Sequence, residues 1–79
     1  MTDDILMDLE SKLIIIQGEI SKERATMSRI LSEPIEANAS EGELVARQNK
    51  LYYHAQKLHA LETQYHAIEA NIKKLTEKS

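Results

Sequence analysis

The chain has 79 residues with no cysteine, no Trp and no Phe, and its net charge is −3. That length allows one domain, and the lack of cysteine excludes disulfides and thiolate metal sites. A chain this small buries only about 60% of its unfolded surface, so helix packing or association must supply what staples supply elsewhere.

Two glycines (Gly18, Gly42) and one proline (Pro34) interrupt a sequence otherwise rich in Ala, Leu, Ile, Glu, Lys and Gln, which favour or tolerate helix. There is room for one loop, and enzymes carry their chemistry on loops. Charge is uneven: residues 1–40 carry −4 and residues 41–79 carry +1. Helices of opposed charge attract weakly, and salt screens that attraction beyond about 8–10 Å. No basic patch interleaved with stacking aromatics is present, so nucleic acid is not an expected partner. The longest apolar run, Leu13-Ile14-Ile15-Ile16, falls far short of the roughly 20 residues that span a bilayer. The opening Met1-Thr2-Asp3-Asp4 is acidic where a signal peptide is basic. The expected setting is the cytoplasm, without membrane insertion.

Taken in chain order, a first helix is expected over 3–32, with Thr2 as N-cap and Asp3 and Asp4 facing the positive dipole end. Pro34 stops it by removing a donor and disfavouring helical geometry at Glu33. A loop over 33–40 follows, with a turn of helix possible around Ile35 to Ala37. Ser40-Glu41-Gly42-Glu43 then reads as a capping box, opening a second helix over 41–77. Lys73, Lys74 and Lys78 suit its negative end. So short a connection joins antiparallel neighbours.

Apolar spacing sets the packing. Leu6, Leu9, Leu13, Ile16, Ile20, Met27 and Ile30 alternate steps of three and four, interrupted by Glu23. Leu44, Leu51, Leu58, Tyr65 and Ile72 recur at sevens, and a parallel series runs Arg47, His54, Leu61, Ile68, Leu75. This is a coiled-coil seam. The fold class is therefore all-α, a two-helix antiparallel coiled-coil hairpin over 1–79. Folding about the loop is expected to set Met27 near Arg47, Glu23 near Leu51, Ile20 near His54, Ile16 near Leu58 and Leu9 near Tyr65. Glu23 would then sit between Arg47 and His54, as a register lock or pH-sensitive clasp, or simply as a half-solvated polar layer worth under about 1 kcal/mol.

Further apolar residues lie off the seam. Met7, Ile14 and Ile15 fall on the back of helix one. On helix two, Ala46, Tyr53, Ala60 and Ala67 recur at sevens beside Val45, Tyr52, His59 and His66. Two stripes on one helix imply two neighbours, and a lone hairpin offers one. Burying two isoleucines and a methionine would contribute roughly 5–8 kcal/mol gross. The candidate partner-binding residues are Met7, Ile14, Ile15, Tyr52, Tyr53, Ala60 and Ala67. Scattered surface apolar residues are the plain alternative, but two outward isoleucines in a run of four are hard to leave wet.

No catalytic, cofactor or metal site is expected. His59, Glu62 and His66 share a helix face, but the two histidines stand about 10 Å apart along the axis, too far for one zinc ion without other ligands. The serines lie on polar faces, at the cap or at the terminus, and no Gly-rich phosphate loop occurs. Gly18 costs about 1 kcal/mol relative to Ala inside a helix and reads either as a close-approach point or as tolerated imperfection.

With Asp8-Leu9-Glu10-Ser11-Lys12-Leu13 opening the first helix, one polar turn, and Gln64-Tyr65 leading into a Glu-containing amphipathic end, the chain resembles the small needle-subunit co-chaperones of bacterial type III secretion. The resemblance rests on size, layout and heptads, and transfers no residue by position. It implies a helical hairpin, a helical-repeat chaperone as partner, and a needle-forming subunit held soluble and unpolymerised in the cytoplasm. The competing expectation is a self-assembling structural coiled-coil adaptor. In either case the chain is expected to self-associate when alone.

Overall fold

A computed structural model describes residues 2–77, Thr2 by its backbone alone. It contains two antiparallel helices, α1 (Thr2–Ser32) and α2 (Glu41–Glu77), packed along one another into a rod of 62 × 14 × 14 Å. The all-α hairpin expected from the heptads is the fold. Helix α1 begins one residue earlier than expected. The side chain of Thr2, and so its capping role, lies outside the described residues, as does Lys78.

The helix ends follow from local chemistry. At the close of α1 the Glu33 N–H reaches back to the Ile30 carbonyl at 3.3 Å, and the Ser32 hydroxyl donates to the Arg29 carbonyl at 2.9 Å. Pro34 ends the ladder there. Ser40 caps α2: its hydroxyl oxygen accepts from the Glu43 N–H at 3.2 Å, and its carbonyl accepts from the Leu44 N–H at 3.1 Å. Between them the Ala39 N–H donates to the Glu36 carbonyl at 3.0 Å. No described residue has positive φ, so this turn over Ala37 and Asn38 is not type II or a primed type. The possible helical turn at Ile35 is absent; residues 34–36 are irregular.

The register differs from expectation by about one helical turn. Glu23 meets His54 and Lys57 rather than Leu51, and Ile16 and Ile20 pack with Leu61 in the buried cluster that Leu58, Tyr65 and Ile68 flank. The loop is the cause. Expectation assumed a symmetric reversal midway between the helices, but four residues precede the turn and only two follow it. A non-helical residue advances up to about 3.3–3.6 Å against 1.5 Å in a helix, so the climb outruns the return. Helix α2 therefore starts beyond the end of α1. Leu44, expected in the seam, is 41% exposed, because no turn of α1 stands opposite. At the other end the shift lays α1 against the last turns of α2: Ile72 and Leu75 are half-buried, and Ile72 shares a groove with Leu13. Leu13 lies outside the cluster of Ile16, Ile20 and Leu61.

Candidate functional site

The sequence-derived site residues are all exposed. Met7, Ile14, Ile15, Tyr52 and Tyr53 are 62–68% accessible, and Ala60 and Ala67 are exposed beside them. They do not form one continuous face. Ile15 and Ala67 meet in a shallow groove of about 470 Å³ with Leu9, Ile16, Gln64 and Ile68. Ile14 points elsewhere, because successive helical residues turn by about 100°. The shifted register sets Ile15 beside Gln64 and Ala67. Tyr52 accepts a hydrogen bond from Gln56 at 2.8 Å, and Tyr53 packs edge-on against the His54 ring at 5.1 Å. The two rings flank α2 on different sides.

Gly18 has nothing within 4 Å of where a Cβ would stand. It does not serve a close approach between α1 and α2.

Below the exposed surface lies a polar layer that sequence reading placed correctly and populated in part wrongly. Glu23 is 7% exposed in the seam. Its carboxylate accepts from His54 Nδ1 at 2.6 Å and from Lys57 Nζ at 3.1 Å. A carboxylate only accepts, so His54 carries its proton on Nδ1. The His54 bond, then the Lys57 bond, hold the Glu23 pKa below the ordinary carboxylate value against the opposing effect of burial. Lys57 is raised in turn, chiefly by its hydrogen bond to Glu23.

Arg47, expected beside Glu23, does something else. Its guanidinium donates to the carbonyls of Ile30 at 2.8 Å, Leu31 at 3.1 Å and Glu33 at 3.4 Å. These are carbonyls at the C-terminus of α1, where the helix leaves acceptors unpaired and the dipole is negative. Arg47 thus caps one helix from the other. Sequence reading missed it because the role appears only once the register is known.

A second apolar groove, of about 280 Å³, lies at the loop end among Ile35, Leu44, Val45 and Leu51. Its signal in the sequence is the adjacent apolar pair Leu44-Val45 at the start of α2, one in the seam series and the other in an off-seam series. The histidines divide their partners: His66 Nδ1 lies 3.2 Å from Glu69, while Glu62 faces Arg24 at 3.7 Å. Among the described residues, no helix is long and apolar enough to cross a membrane. The chain matches no protein family, no curated protein and no solved structure.

Proposed function

We infer that this hairpin is a helix-binding protein-interaction module. The observation that carries the reading is the set of large apolar side chains, Met7, Ile14, Ile15, Tyr52 and Tyr53, left more than 60% exposed where the described residues form two helices to cover them. Exposed apolar surface marks interaction sites where it is contiguous, as it is where Ile15 adjoins Leu9, Ala67 and Ile68 in one groove. An amphipathic helix laid along the rod is the occupant whose shape and periodicity fit.

Within that class, the size, layout and heptads favour a cytoplasmic co-chaperone. With a helical-repeat chaperone it would hold a type III secretion needle subunit unpolymerised by covering the subunit's apolar helix faces. The test is a co-expression pulldown with those two candidates, using the Ile14→Glu, Ile15→Lys double variant beside the wild type. Capture by the wild type and loss in the variant, with helicity unchanged by circular dichroism, supports the reading. Equal capture by both moves docking off this surface, and the loop-end groove of Ile35, Leu44 and Val45 is the next place to test.

A further inference from the structure

The hairpin exposes 6317 Å². A compact monomer of 9.0 kDa exposes only about 4,850 Å². The surplus exceeds the roughly 800 Å² that each partner contributes to a standard interface. It is also partly apolar, since Ile15 is 62% exposed and lines the groove with Leu9, Ile16, Ala67 and Ile68. No described side chain is less than 2% exposed. Two helices do not enclose a core here; four helices ordinarily do.

We propose that a second copy of this chain covers the groove of Leu9, Ile15 and Ala67, forming a four-helix bundle in which α1 of each copy lies on α2 of the other. The two-fold axis runs along the rod. Ile15 and Ala67 line one groove and so stand at one level, and this rotation seats Ile15 of each copy on Ala67 of the other, large against small. It also sets the acidic α1 of one chain, with six acids against four bases, on the α2 of its partner, whose five acids and five bases balance, so that the two acidic helices do not face each other. Each helix becomes antiparallel to both neighbours, the favourable arrangement of their dipoles. An axis across the rod would instead stack the two acidic halves and bring Ile15 onto Ile15. The proposal concerns the chain alone and does not rest on the co-chaperone reading; a different helix using this groove would displace the second copy.

Sedimentation equilibrium tests it. The wild type is expected as a dimer, and Ile15→Glu and Ala67→Lys are each expected as monomers of unchanged helicity. Mixing those two variants should restore a dimer, because an isologous interface then holds one Glu–Lys contact and one native contact. Ile14→Glu should leave the dimer intact, which separates this result from loss of partner capture. A wild type that stays monomeric at several hundred micromolar overturns the proposal, as does Ile15→Glu remaining dimeric or the mixture remaining monomeric. If a charged variant fails to fold, cysteine pairing in this cysteine-free chain decides. Ile15→Cys mixed with Ala67→Cys should give a disulfide-linked heterodimer in preference to either homodimer. Preference for the Ile15→Cys homodimer would overturn the arrangement.

Discussion

Glu23 and Arg47 are the two residues whose chemistry most constrains the hairpin, and each answers to a different physical rule. Glu23 is buried and stays ionised through His54 first and Lys57 second. A carboxyl whose folded pKa is depressed stabilises the fold above its unfolded value, about 4.3 for Glu, and that contribution is lost as pH falls through the folded value. Lys57, raised by the same pair, contributes below its unfolded value of about 10.4 and ceases to do so as pH rises through the folded value. The wild type should therefore lose thermal midpoint below about pH 4.3 more steeply than Glu23→Gln. Parallel acid limbs for the two proteins would show that the pair contributes nothing to stability. Arg47 is a cap rather than a member of this layer. Arg47→Ala leaves the carbonyls of Ile30 and Leu31 without their cross-helix donor and should cost about 1.5–3 kcal/mol in urea denaturation, the range for hydrogen bonds involving a charged group. Both residues stood out in the sequence as polar interruptions of an apolar seam. Their partners did not, because partnership depends on register to within one turn.

At the scale of the helices, the heptads, Pro34 and the Ser40 cap made helix number, orientation and boundaries readable within about one residue. Register was not readable, since periodicity repeats at every seven residues and is indifferent to a slip that keeps the seam apolar. What fixes it is the loop path, four residues before the turn and two after, together with Glu23 finding His54 and Lys57. The buried cluster then centres on Ile16, Ile20 and Leu61. Leu61→Ala should cost about 2–3 kcal/mol, the lower part of the range for buried leucine because the site is only just closed. Ile14→Ala should change monomer stability by less than about 0.5 kcal/mol. If the two cost the same in chemical denaturation, the assigned seam is wrong. Gly18 gives a test of opposite sign. With open space around its missing Cβ, Gly18→Ala should stabilise the helix by about 0.5–1 kcal/mol. A destabilised variant would mean that something packs on Gly18.

For the whole molecule, the decisive quantity is how little of it is closed. One small cluster, one ion-paired layer and Ile30 near the loop are what closes along a rod 62 Å long, and the exposed isoleucines and tyrosines stand largely uncovered. The surplus was legible as a second apolar stripe on each helix. Its division between different flanks was not, because adjacent residues such as Ile14 and Ile15 share a run yet diverge by about 100°. A fold in this condition borrows stability from whatever covers it, so its melting should depend on concentration. If a second copy binds only the folded chain, hundredfold dilution through the dimer dissociation range removes up to about 2.7 kcal/mol by mass action. For a domain of this size a change of 1 kcal/mol moves the midpoint by about 4–8 °C. Thermal melts followed by circular dichroism from hundreds of micromolar down to a few should therefore shift downward by ten degrees or more. The shift should disappear in Ile15→Glu, which melts at the low value throughout. A wild type whose midpoint holds constant across that range, with a sharp transition, is a hairpin sufficient in itself. The exposed apolar side chains would then need no second copy to cover them, and the four-helix dimer would lose the physical argument that motivates it.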